Sequence, residues 1–481
     1  MSIQVSPSPI PNSNLVTLTS TLLDKDTYLT ELLNQVTAPK TEGWLQELRE
    51  GAASWVRHST IPTSREEEWR FTDLSSLRKV QFNLETGNFA SLQFDILPEA
   101  ANSRLVFVNG VYAPELSAVT DLPDGIVVSS LVGLSVVEQE GVQQYLAQAE
   151  GAQEVFTALN TAGITDAAVV WVKKNVVVET PIHLVFISVA GETATISQPR
   201  CLVVAESGSQ VTLVEEYTNR QDAKSAEEGV YLTNAVTEIW VGDNAEVSHT
   251  RVEQEGAEAF HIGKTAIAQA RDSRYTSHAI TLGGKLSRHN LEILQTGEQT
   301  QTTLNGLTVI TGKQLSDTHS AIALNYPHGT SEQLHKCIVG DRAHAVFNGK
   351  VFVPKPAQLT NAAQLNRNLL LSSKARVDTK PQLEITADNV KCAHGATVSQ
   401  LEDDEIFYLQ SRGIDENDAR KLLINAFAAE VINQIPIPSL REILLNTVNN
   451  LKSLTNDHCT DAINRVSNDH CRDAINRVST D

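Results

Sequence analysis

Paired cysteines are what this sequence most plainly lacks. The five that it has, Cys201, Cys337, Cys392, Cys459 and Cys471, are odd in number, widely spaced and never set as CxxC. That argues against a disulfide framework and fits reduced thiols in the cytosol. It also argues against a preformed all-cysteine zinc or iron–sulfur site, which close pairs would announce. No apolar run approaches the ~18 residues of a membrane span. Met1 to Leu15 holds no basic residue, so neither a secretory signal nor an Arg-rich transit peptide is legible, and a soluble cytoplasmic protein is expected. No P-loop, dinucleotide fingerprint, HExxH or GxSxG is present. Positive charge is short too: 38 Lys and Arg against 58 Asp and Glu leave a net charge of −20. That acidity disfavours non-specific nucleic-acid binding and docking on anionic lipid.

What remains is ordinary globular material: 481 residues, 41% hydrophobic and 20% charged, enough for two or three domains. Residues 1–103 read as mostly helical. Asp24 to Gln35 and Glu42 to Trp55 carry apolar residues at helical spacing, and Ser64 followed by Glu67 suggests a capping box. Residues 104–166 mix strand and helix, with Leu105–Val108 running into an Asn109-Gly110 turn and a helical stretch at about Gly141 to Leu159. From about Ala167 to Leu409 nearly everything reads as short Val-, Ile- and Thr-rich strands parted by Gly, Asn and Asp, and residues 167–412 form the expected β core. Residues 413–452 return to amphipathic helix, with acids at Asp415, Glu416 and Asp418 suited to a helix start.

No long helices interrupt the strand region, which excludes a doubly wound α/β fold. A turn phrase recurs within it: Gly208-Ser-Gln-Val-Thr-Leu213, Gly242-Asp-Asn-Ala-Glu-Val247, Gly340-Asp-Arg-Ala-His-Ala345 and the shorter Ser373-Lys-Ala-Arg-Val377. The intervals are 34, then 98, close to three times 33, then 33. A near-constant period in all-β sequence points to a solenoid rather than a sandwich or propeller, with the small residue of each phrase facing inward. Residues 453–481 hold two nearly identical twelve-residue repeats, each with an Asp-His-Cys triplet. Recent duplication makes an extended, dispensable tail the expectation there, ahead of a metal site. His319, His328, His335 and His344, with Asp317 nearby, are expected to be exposed or structurally hydrogen-bonded rather than metal ligands.

The densest information lies in Phe347-Asn-Gly-Lys-Val-Phe-Val353, Gln364-Leu-Asn-Arg-Asn-Leu-Leu-Leu-Ser372, Lys380-Pro-Gln-Leu-Glu-Ile385, Val390-Lys-Cys-Ala-His-Gly-Ala-Thr397 and Phe407-Tyr-Leu-Gln-Ser-Arg-Gly-Ile414, with Arg65-Glu-Glu-Glu-Trp-Arg-Phe-Thr72 upstream. In this order they resemble the SufB/SufD family of iron–sulfur cluster assembly proteins, over about residues 25 to 450. Ser372 stands where SufB-type chains carry a cysteine, and Lys391-Cys392-Ala-His394-Gly-Ala-Thr replaces their Glu-His-Glu-Ala-Thr pattern. Both differences point to the SufD side of the family.

The resemblance implies a right-handed parallel β-helix flanked by helical regions, acting as a scaffold and not as an enzyme. It implies pairing with a SufB-type paralogue through the β-helix and docking of a SufC-type ATPase on the 413–452 helices, with homodimerisation an option for isolated chains. It implies no stably bound cofactor, and a transient iron or iron–sulfur cluster at the SufB interface near Cys392 and His394. On the residues alone, the plainer reading of that pair wins: a small core hydrophobe and a turn residue before Gly395. Yet positions two apart in a strand share a face, and thiolate and imidazole both ligate iron. Two ligands in one chain suit a site completed by another, and the resemblance tips the reading to the metal role. The competing class is a carbohydrate-active β-helix enzyme such as a polysaccharide lyase, for which export signal and charged cluster are both missing; a purely structural oligomer is a third.

Overall fold

The computed structural model describes residues 25–37, 42–84, 92, 94–149, 151, 154–219 and 229–450. The duplicated tail, with Cys459 and Cys471, lies outside the described residues. The centre of the chain is a parallel β-solenoid of about 7 turns. Successive strands alternate between two sheets, and each strand pairs in parallel with the next but one. Sheet I ends on the strands Thr330–Val339, Asn361–Leu370 and Lys391–Gln400; sheet II ends on Leu315–Ala323, His344–Val353 and Arg376–Ile385.

The turn phrase does what its small residue suggests. Val211, Leu213, Ala245 and Val247 are all buried in the core between the sheets, and Ala343 and Ala345 in a smaller cluster farther along. Asn244 and Asp341 take left-handed conformations in these turns, which short polar side chains tolerate. The period is a correction. Phe260 pairs with Leu286 and Gln210 with Glu246, so a coil takes from 26 residues (260 to 286) to 36 (210 to 246). Gly208 and Gly242 precede sheet I strands, whereas Gly340 and Ser373 precede sheet II strands. The 98-residue interval therefore spans three and a half coils, and its match to three times 33 is a coincidence of two turn families.

Helices cover the outer faces. Helix α1 (Thr27–Val36) starts at Asp26, whose carboxylate accepts from Leu29 N and pairs with Arg78. It packs with α2 (Trp44–Arg57) and, farther on, α4 (Val155–Ala162) against Ile196, Leu232, Phe260 and Ile262 of sheet II. The expected single helix at Gly141–Leu159 is two: α3 (Val136–Val142), opened by a Ser135/Glu138 capping box, and α4. The Ser64/Glu67 box does not form. Thr63 N donates to Glu66 instead, and a 3-10 turn follows at Glu67–Trp69.

The C-terminal end also departs from expectation. The last strand stops at Gln400 and α5 (Asp403–Ser411) follows, with three acids in its first turn. The Phe407-Tyr-Leu run masked this helix, because aromatic residues favour strands. Helices α6 (Glu416–Ile432) and α7 (Pro438–Asn450) then lie on the outer face of sheet I. There Ile424, Ala428, Val431, Ile432, Leu440, Leu444 and Val448 bury against Val252, Ile280, Leu307, Val309 and Ile338. Among the described residues no helix is long and apolar enough to cross a membrane.

Candidate functional site

At the far end of the solenoid both sheets finish on a strand with one unpaired edge. Alternation along the preceding sheet I strand shows which side chains face the lumen: Ala362, Gln364, Asn366 and Asn368 are buried, and Ala363 and Leu365 exposed. Cys392 stands in register on Ala362 and His394 on Gln364. Both therefore point into the open mouth of the lumen, on one face, as their spacing implies. Cys392 is half-buried against the core, and burial raises its thiol pKa. His394 is exposed and, among the described residues, makes no hydrogen bond or ion pair. It is part of a regular strand and not a turn residue.

The mouth is apolar around this pair. Leu383, Val390 and Cys392 close the core only partly, and Ile385 and Val398 remain 38% and 52% exposed. Only Pro381 in the pattern of these strands marks an edge, and the rest reads like a covered coil, which is why sequence reading missed the uncovered end. A second exposed apolar group sits on the C-terminal helices: Phe407 and Tyr408 of α5 and Leu422 of α6. Phe407 and Tyr408 stand in the motif, but as consecutive aromatic residues they carry a strand signal.

The other candidates disperse. Ser372 closes a turn: its hydroxyl donates to Asp341 O and accepts from Ala375 N at 3.1 Å. Cys201 and Cys337 are buried, and burial pushes the Cys337 thiol up to about 12. His335 is enclosed in the lumen, stacked on Phe347 with centroids 4.9 Å apart, while His344 pairs with Asp378 at 2.7 Å and His328 occupies a turn. Burial opposes charge on His319, but Asp317 at 2.9 Å and Glu68 outweigh it and raise its pKa. Among the described residues no group of three or more His, Cys, Asp or Glu could hold a metal ion.

The Arg65–Thr72 motif has a different use. Glu68 reaches His319 at 3.3 Å, Arg288 stacks on Trp69 at 3.9 Å, Thr72 donates to Asp317 and Lys380 pairs with Glu67. The motif thus clasps the N-terminal segment to three strands of sheet II, Leu286–Gln295, Leu315–Ala323 and Arg376–Ile385.

Comparison with known proteins decides the lineage. The family model described as "SUF system FeS cluster assembly, SufBD core domain" matches residues 186–427, and "SufBD protein N-terminal region" matches 27–184. The chain belongs to the SufBD family. It is 50% identical to an iron–sulfur cluster assembly SufBD family protein of Synechocystis, over 89% of this chain and 96% of that one. It is 34% identical to the iron–sulfur cluster assembly protein SufD of Escherichia coli, over 91% and 96%. The Arabidopsis protein ABCI7, named chloroplastic, is 36% identical over 86% and 87%. This SufBD chain therefore has its role in iron–sulfur cluster assembly by the SUF system.

Proposed function

We propose that this chain is the SufD-type scaffold subunit of the SUF assembly complex, acting in the cytoplasm and not itself an enzyme. Its open solenoid end pairs with a SufB-type paralogue, and a SufC-type ATPase docks on the C-terminal helices. The carrying observation is that Cys392 and His394 share one face at the C-terminal solenoid end, where both sheets finish on a strand with an unpaired edge and the core is partly uncovered. Unpaired edges and partial covering are what a second chain would satisfy. A thiolate and an imidazole leave iron at least two protein donors short of a closed site, so the paralogue supplies the rest. Iron or the nascent cluster is cargo there, and no cofactor is held permanently.

The test is His394→Ala and Cys392→Ser in cells expressing the whole complex. His394 is exposed, so His394→Ala should change stability by no more than ~0.5 kcal/mol, against ~2–5 for a core truncation. Cys392→Ser keeps the size and exchanges a soft ligand for a hard one. Assembly of the complex should survive while cluster yield falls. Normal yield in both variants would move the chemistry to the paralogue alone.

A further inference from the structure

The lumen behind the open mouth is polar, and several of its groups, Gln364 among them, are short of a partner. Gln364 is 3% exposed and its amide has a fixed direction. Its Nε2 donates to Gln333 Oε1 at 2.8 Å, and Gln333 Nε2 donates in turn to Ser320 Oγ at 2.8 Å. That leaves Gln364 Oε1 buried with no hydrogen-bond partner. A buried, unpaired carbonyl oxygen costs about 1–3 kcal/mol, so its retention calls for an explanation.

Two further facts bear on it. Gly349, across the lumen on sheet II, makes room for this amide: a Cβ there would collide with Gln364 Nε2 and press on Phe347. The residue stacked in register directly beyond Gln364 is His394. In a parallel ladder the in-register side chains of neighbouring strands stand about 4.8 Å apart, within reach of one hydrogen bond between long polar groups. The two side chains are not bonded in the structure, but the exposed imidazole, turned inward about its own torsions, offers the N–H that Gln364 Oε1 needs.

We infer that Gln364 is a positioning residue for His394, accepting the proton of one imidazole nitrogen and so turning the other, with its lone pair, out of the mouth toward the cargo iron. A ligating histidine is oriented and fixed in one tautomer by an acceptor on its second nitrogen. Gln364 supplies that acceptor from the coil beneath, and Gly349 keeps the space that lets it do so. The inference deepens the shared-site reading and rests on it for the iron. The tautomer claim stands without it.

The experiment uses the full chain with nitrogen-15-labelled histidine, read by NMR well above the imidazole pKa, with the His394 signal assigned by its loss in His394→Ala. His394 should be biased to one tautomer. Gln364→Leu, of similar size, should release it toward the mixed population of a free imidazole. Gly349→Ala should do the same without altering either partner. In the assembled complex, Gln364→Leu should weaken iron binding by about 10–100-fold, and Gln364→Glu, which keeps an acceptor oxygen, should restore part of it. An unchanged tautomer ratio in Gln364→Leu overturns the inference. So does normal iron binding in Gln364→Leu when His394→Ala has lost it. If His394→Ala itself binds iron normally, the shared-site reading fails, and the tautomer ratio alone decides the role of Gln364.

Discussion

Burial in the solenoid holds several of its histidines neutral. His261, His278 and His335 are each pushed down to about 4, with burial the largest cause, because a charged imidazole would lose its water. A depressed folded pKa gives stability that is whole above the unfolded value of 6.5 and is lost as pH falls toward 4. Glu255 acts oppositely. Burial raises it to about 7, so its contribution is present in acid and lost between 4.5 and 7. His335→Gln removes one acid-sensitive group and should flatten the pH dependence. The full effect of one such proton is about 1.4 kcal/mol per pH unit, or on the order of 3 kcal/mol across the window. Denaturant unfolding at several pH values between 7 and 4 would show it, and parallel curves for wild type and variant would refute the assignment. The same scale marks the limit of reading sequence. Cys392 and His394 were legible because a motif named them and a period of two put them on one face. Gln364 was not, because its meaning lies in register with a residue 30 positions on, and coil length varies.

The C-terminal helices divide their surfaces between two tasks. The apolar faces of α6 and α7, whose amphipathicity suggested a docking surface, are already spent on sheet I, where Lys336 also caps the contact through Phe427 and Glu430. Deleting from Asp415 would strip that face and destabilise the solenoid, so lost ATPase binding in such a truncation would say little. Surface substitution is cleaner. Phe407 is 70% exposed and Tyr408 58%. Phe407→Ala with Tyr408→Ala should leave the unfolding midpoint nearly unchanged yet weaken capture of the SufC-type ATPase by at least about tenfold, as removal of central aromatic anchors does. Ile432→Ala should behave in reverse, costing about 2–5 kcal/mol of stability. Undiminished capture by the double variant would place the dock elsewhere. Helical spacing identified α6 and α7 from sequence, but which face stays free depends on which sheet they meet, and that is not written in either helix.

At the scale of the whole molecule, the open end is an edge that would ordinarily be guarded. Edge strands are blunted by proline, lysine and bulges that discourage pairing with other chains. The final strand of sheet II has a guard at its centre in Pro381, whereas the final strand of sheet I, Lys391–Gln400, has no proline, keeps its one lysine at its first residue and carries a half-exposed Val398 at its mouth. Sheet I is therefore the edge best suited to receive a strand from the paralogue, beside Cys392 and His394 on the same strand. In the paralogue's absence the same edge would recruit a second copy, against the mutual repulsion of two chains of net charge −20. Val398→Lys tests both. The lysine is tolerated in the free chain, where it reaches water, but covering it would bury an unpaired charge, and each 1.4 kcal/mol of that penalty is tenfold in affinity. The variant should remain folded, should still capture the SufC-type ATPase through α5, and should lose pairing with the SufB-type paralogue by about tenfold or more in co-purification. Isolated, it should sediment as a monomer at concentrations where the wild type self-associates. Pairing at full strength in Val398→Lys would mean that the solenoid mouth is not the interface, and the Cys392–His394 pair would then have no second chain to complete it.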